Sequence, residues 1–461
     1  MGDRPGRSTV KLAEAVWVLQ CHSLAEAVTM AEGLRSVQEV PGPYRCLFNA
    51  YPFFNRIQSR VMDDVLHSDK PVVVSAPTGS GKTAILELAL VRLLSASRTD
   101  EHGRRARAVY VSPLKALCRE RLCEWRAKLA AVGVSCAEYT GDTDSDQDRE
   151  ALLGAQLLLT TPEKLDDCTR RWPEAVRPDL VLIDEMQTVS EAHRGAVLEA
   201  VLTRTKLLRR HDGLRFVGVC GCVENARDLA AWLGPDSKHY SFPASARPVP
   251  LRRVVLGYPC SANSDFRFDM ALSYKLAAVI SAHSAGKPAL VFCSTRKGAV
   301  QAATVLASSL GPHGRPAFST ELLATACAIR DAKLRELVQR SGVGWHHAGL
   351  EASDREVLES LFRAGALRAL VSTSTLAVGV NLPARLVVVR GTTTYGGRTQ
   401  PYPNLVLEQM VGRAGRPQRQ SLAKSLAYVR LYAHYVDKFR SVLAAPCTVG
   451  AIRDNLEGDV S

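Results

Sequence analysis

The 461 residues are enough for two or three domains with their own cores, and a composition of 46% hydrophobic and 23% charged residues excludes a disordered or fibrous chain. Lys and Arg number 59 against 46 Asp and Glu, a net charge of +13 that points to a polyanionic partner, most often nucleic acid. The 12 cysteines form no C-x-x-C pair, so zinc and disulfide frameworks are not expected and the thiols read as reduced, intracellular side chains. No apolar run approaches the roughly 18 residues of a membrane span, and "MGDRPG" lacks a signal-peptide core, so a soluble protein is expected.

Residues 1–50 read as an N-terminal extension, helical in spacing until "PGPYR" breaks the pattern. Over 51–243, short β-branched runs alternate with helical stretches. "PVVVSAP", "RAVYVSP", "AQLLLTTP", "LVLIDE" and "RFVGVCG" are predicted buried parallel strands, with ligands expected at their carboxyl ends. "FPASARPVPLRR" reads as a linker. A second block, 244–445, repeats the alternation in "PALVFCST", "VGWHHAG", "RALVSTSTLAVG", "RLVVVRG" and "LAYVRLY", and a C-terminal stub covers 446–461. The expected fold class is therefore α/β, two tandem domains of parallel sheet flanked by helices.

"SAPTGSGKTAILE" follows one predicted strand and opens a helix, the context of a phosphate-binding loop. Gly79 and Gly81 allow the backbone N–H groups to turn inward, and Ala76, Pro77, Thr78 and Ser80 complete the loop, with Ala76 where the strict pattern has its first Gly. Lys82 would hold the β- and γ-phosphates of ATP and Thr83 would ligate Mg²⁺. Asp184 and Glu185 follow "LVLI", one carboxylate for Mg²⁺ and the other to take a proton from the attacking water. Gln58, some twenty residues before the loop, carries an amide that can read an adenine edge.

In this order and spacing, "FFNRIQ", "APTGSGKT", "SPLKALCRER", "TTPEK", "DEMQ", "VFCSTRK", "HHAGL", "STSTLAVGVNLPA" and "QMVGRAGRP" resemble a superfamily-two helicase of the Ski-like group. "FFNRIQSR", "HHAGLEASDREVLESLF" and "TSTLAVGVNLPARLVVVRGTTTY" are most similar to the meiotic crossover-promoting ATP-dependent DNA helicase family. The resemblance implies two RecA-like domains, ATP and Mg²⁺, a 3′ to 5′ motor on single-stranded or branched DNA, and a nuclear setting. It assigns Gln409 to orienting water and Arg413 and Arg416 to arginine fingers; being three apart, one helical turn, both guanidiniums can face one target. It places Pro113, Lys115, Arg119, Thr161 and Lys164 in the first domain, and Thr295, Arg296, Thr373 and Thr375 in the second, along a nucleic-acid backbone. In "TTTYGGRTQPYPN", Gly396 and Gly397 after Tyr395 read as a hairpin turn. The resemblance makes that hairpin a strand-separating wedge, with Tyr395 or Tyr402 stacking on the last pair. His346 and His347, adjacent on a strand, point to opposite faces and suit a position near nucleic acid better than a metal site.

Three features depart from the pattern. Gln187 stands where many relatives carry His, an amide in a relay position. Cys220, Gly221 and Cys222 replace the Ser-Ala-Thr triplet that links hydrolysis to strand separation, and thiols are weaker hydrogen-bonders than hydroxyls. The chain also ends soon after "GRAGRP", where relatives continue into a winged helix and a helical ratchet, so turnover without robust unwinding is expected. An RNA helicase of the same group and a low-turnover nucleotide-gated clamp remain open beside the DNA helicase.

Overall fold

The structure, a computed structural model, describes residues 33–96, 106–141, 152–173, 176–191, 194–208, 213–258, 265–311, 319–374, 376, 382, 384–391, 393–395, 399–402, 404–415 and 425–432. They fall into two compact units that divide between Arg247 and Pro248.

The first unit is built on a seven-stranded parallel sheet. Its strands are β1 (Val72–Ser75), β2 (Ala108–Val111), β3 (Cys136–Tyr139), β4 (Leu157–Thr160), β5 (Leu180–Ile183), β6 (Arg215–Cys220) and β7 (Lys238–Ser241). They lie in the order β3-β4-β2-β5-β6-β1-β7. The inner strands, such as Val72–Ser75 and Leu180–Ile183, are buried at every position, because a parallel sheet covered by helices has no wet face for alternation to report. Apart from the buried Tyr139, the edge strands β3 and β7 carry half-buried or exposed side chains, with no continuous apolar run, which is why the sequence does not announce them.

Helix α1 (Arg56–Leu66) opens on a capping box in which Asn55 accepts from Gln58 N and Gln58 accepts from Asn55 N. Its far end is held by Arg215 of β6, whose guanidinium donates to the carbonyls of Asp64, Val65 and Lys70 at 2.9–3.1 Å. The described part of the expected extension is not an appendage. Val37, Val40, Leu47 and Phe48 are buried in the first unit's core, and Val37 N donates to Pro52 O at 3.0 Å. The helical pattern expected over residues 11–32 lies outside the described residues.

The second unit has a six-stranded parallel sheet in the order β10-β11-β9-β12-β15-β8. These are β8 (Leu251–Tyr258), β9 (Ala289–Cys293), β10 (Val343–His346), β11 (Ala369–Thr373), β12 (Leu386–Val389) and β15 (Ser425–Tyr432). Strand β8 begins inside the stretch read as a linker. A separate antiparallel pair, β13 (Thr393–Tyr395) and β14 (Thr399–Pro401), aligns Tyr395 with Thr399. The expected hairpin is therefore present as two strands; its turn, with Gly396 and Gly397, lies outside the described residues. Among the described residues no helix is long and apolar enough to cross a membrane.

Candidate active site

Strands β5, β6 and β1 are neighbours in the first sheet, so the segments that follow them meet at one sheet edge. Those segments are Asp184-Glu185, Gly221-Cys222 and the loop 76–83, the place where open parallel sheets gather ligands.

The loop leaves β1 and enters helix α2 (Lys82–Ser95) through Gly79 and Gly81, at φ +77° and +80°. Only glycine adopts that left-handed region without cost. A side chain at Gly81 would also collide with Gln58 Nε2. Gln58, expected to read adenine, is 5% exposed and donates to Gly81 O at 3.0 Å, so it braces the loop as well as closing the cap of α1. Asn55 donates to Ser80 O at 2.8 Å. Lys82 Nζ lies 2.9 Å from Ala76 O and 3.4 Å from Pro77 O, folded over its own loop.

Asp184 is oriented from two sides. Its Oδ2 accepts from the hydroxyl of Tyr110 at 2.7 Å and its Oδ1 from Glu185 N at 2.9 Å. Tyr110, on β2 next to β5, is fully buried, and burial followed by the Asp184 charge pushes its hydroxyl well above the usual phenol range, so it serves as a donor. Its ring meets Trp125 edge-on at 5.1 Å; Trp125 donates to Glu87 at 2.8 Å, and Glu87 lies on α2 below the loop. Sequence reading missed Tyr110, although "VYVSP" places it one residue before the strand's end.

Glu185 has φ +51° without being glycine, a strained conformation of the kind that gathers at functional sites. Gln187 holds it there. The Gln187 amide nitrogen donates to Glu185 Oε2, and its oxygen accepts from Gly221 N at 3.0 Å. The expected coupling residues therefore meet, but through the main chain of Gly221. Cys220 Sγ faces Val74 O at 3.7 Å, with its pKa pushed up to about 12, chiefly by burial, and Cys222 Sγ faces Phe242 O at 3.5 Å. Ser75 Oγ closes the same corner, donating to Gly221 O at 3.0 Å and accepting from Val223 N at 2.9 Å.

The expected nucleic-acid positions that are described lie at strand ends, in the residues that follow them or in the first two turns of the next helix. Lys115, Arg119, Thr295 and Arg296 are exposed, whereas Pro113, Thr161 and Thr373 are buried. Lys164 packs its ammonium 5.0 Å from the Tyr139 ring, and the Thr295 hydroxyl is engaged as a cap accepting from Gly298 N. Thr375 lies outside the described residues. His346 is buried against Glu359 at 3.2 Å, and His347 stands beyond the end of β10 with its pKa lowered, first by burial.

Gln409 is half-buried on the helix Asn404–Val411. That helix stops before Arg413, which is buried in a turn with Gly415 at φ +62°, so Arg413 itself does not stand on a helix. Arg416 lies outside the described residues. Tyr402, considered for base stacking, is 6% exposed and packed in the second unit's core, which removes its ring from that role.

The sheets and this corner define a P-loop nucleoside-triphosphatase fold of two tandem RecA-like units. Residues 55–225 match the DEAD/DEAH box helicase family and residues 273–418 the helicase conserved C-terminal domain. The chain belongs to the Ski-like superfamily-two helicases. It is 43% identical over 424 residues to the probable ATP-dependent DNA helicase HFM1 of Xenopus tropicalis, covering 87% of this chain and 31% of that protein. With the ATP-dependent DNA helicase MER3 of Saccharomyces cerevisiae it shares 37% identity over 388 residues, 82% of this chain and 31% of the relative. Human activating signal cointegrator 1 complex subunit 3 is 35% identical over 441 residues, 91% of this chain and 19% of the relative. The chain thus spans less than a third of the length of these relatives.

Proposed function

We propose that this chain is the motor of an ATP-dependent 3′ to 5′ DNA helicase that acts in the nucleus during meiotic recombination. The observation that carries the reading is the meeting of phosphate loop, acidic pair and relay at the ends of β1, β5 and β6. Lys82 and the loop amides hold the triphosphate. Glu185, fixed by Gln187, takes the proton of the attacking water. Thr83 and Asp184 offer hard oxygen donors that fit Mg²⁺, and the two groups aimed at Asp184 leave each of its oxygens a further lone pair. Bound there, Mg²⁺ neutralises phosphate charge. The likeness of "QMVGRAGR" to the helicase motif supports Gln409, Arg413 and Arg416 as the groups that orient the water and stabilise the transferring phosphoryl.

The net charge of +13 and the exposed Lys115, Arg119 and Arg296 support a nucleic-acid track read through phosphates. ATPase rates without nucleic acid, with single-stranded DNA and with RNA, beside Lys82→Ala, test the reading. Stimulation by DNA that Lys82→Ala abolishes is expected. Stimulation by RNA alone reassigns the substrate, and flat rates in every case leave a nucleotide-gated clamp. The hairpin β13–β14 is proposed as the wedge: deleting 394–400 removes separation of a short duplex and spares DNA-stimulated ATPase.

A further inference from the structure

Arg247 stands where the chain passes from the first unit to the second, and it is not among the residues assigned to the nucleotide site. A Cβ built on Gly79 would meet Arg247 Nη2 at 2.9 Å, Nε at 3.3 Å and Cζ at 3.6 Å. The guanidinium therefore lies against the backbone of the phosphate loop at Gly79. It is 6% exposed, held against the loop and away from bulk solvent.

Its position is built, because the preceding segment is tied to the same corner. Phe242 N donates to Ser75 O at 2.9 Å at the root of the loop, and Phe242 O faces Cys222 Sγ. A single 3-10 turn, Ala244–Ala246, then brings Arg247 over Gly79. The loop already carries inward-turning N–H groups, a helix amino end and Lys82, all of positive sign. Adding a desolvated guanidinium raises that potential further. A polyphosphate offsets it, and the planar fork of Arg matches phosphate oxygens in a way Lys does not.

We propose that Arg247 is a nucleotide-binding side chain that contacts the phosphates of the bound triphosphate, delivered to the loop by the segment leading out of the first unit. The inference rests on the nucleotide-site reading above and adds a second cation to it. It also gives Gly79 a second reason to be glycine, since any side chain there displaces the guanidinium.

Equilibrium titration of the full chain with a fluorescent non-hydrolysable ATP analogue, alongside thermal melting, tests it. Arg247→Met keeps the aliphatic stem without the charge, and Arg247→Lys keeps the charge without the fork. We expect Met to weaken binding about tenfold and Lys about threefold, with both melting close to the parent, in line with one charge-assisted contact. Wild-type affinity in Arg247→Met overturns the proposal. So does an equal loss in Met and Lys that follows their melting temperatures, the mark of a packing brace. Lys82→Ala separates this failure from failure of the site itself. If Lys82→Ala binds normally, the nucleotide site is misplaced; if it loses binding while Arg247→Met keeps it, only Arg247 is misassigned.

Discussion

Gln187 joins Glu185 to the main chain of the β6 exit, its oxygen accepting from Gly221 N at 3.0 Å while its nitrogen holds the Glu185 carboxylate. An amide performs this two-way link in one fixed tautomer, which an imidazole achieves only in one of its two neutral forms. Gln187→Ala should lower the DNA-stimulated ATPase kcat about thirtyfold with little change in the KM for ATP. Two hydrogen bonds at about 1 kcal/mol each are lost, and the strained Glu185 is released. Gln187→His should recover most of the rate, as steady-state kinetics would show; a KM effect alone would mean that Gln187 acts on binding.

The route through Gly221 makes the neighbouring thiols replaceable. Cys220→Ala and Cys222→Ser should each leave ATPase within about twofold of the parent, since the contact from Gln187 ends on a backbone N–H. Cys220→Ala should still cost about 1 kcal/mol of stability by emptying part of a buried site. A large kinetic loss without destabilisation would return the coupling role to the side chains.

Tyr110→Phe removes the hydroxyl that aims Asp184 and keeps the ring against Trp125. The Mg²⁺ concentration for half-maximal binding of a fluorescent ATP analogue should rise about fivefold, the equivalent of one hydrogen bond near 1 kcal/mol. An unchanged Mg²⁺ dependence would show that Asp184 needs no such support.

Glu87 gives a pH signature. It is buried on α2 beside Trp125 and Lys128, and burial, outweighing Lys128, raises its pKa above the usual carboxylate value. A group whose folded pKa is raised contributes stability below its unfolded pKa, 4.5, that is lost as pH climbs through the folded value. Glu87→Gln lacks that loss. The melting temperature of the variant minus that of the parent should therefore increase as pH rises from 4.5 toward neutrality. A difference that is flat with pH would show that Lys128 offsets the burial completely.

The chemistry of the site is legible because it is written locally. The loop 76–83, the pair Asp184-Glu185 and the relay Gln187 each sit within a few residues of a β-branched run that fixes strand, end and direction. The inner strands of both sheets follow for the same reason, and the likeness to Ski-like helicases rests on those same strings. Tyr110, Arg247 and the bracing role of Gln58 are not legible. Their partners lie 74, 168 and 23 positions away along the chain, and no period or spacing records such a pairing.

The sequence by itself determined which segments carry the groups proposed to meet a triphosphate, because strand propensity, glycine at left-handed φ and capping act over a few residues. Only the tertiary structure decided that β6 lies between β1 and β5, and hence that Gln187 reads the backbone of Gly221 rather than the thiols beside it. It also ended the helix before Arg413 and buried Tyr402. Strand order and burial are set by packing among residues distant in sequence, and that packing becomes visible when the chain is closed on itself.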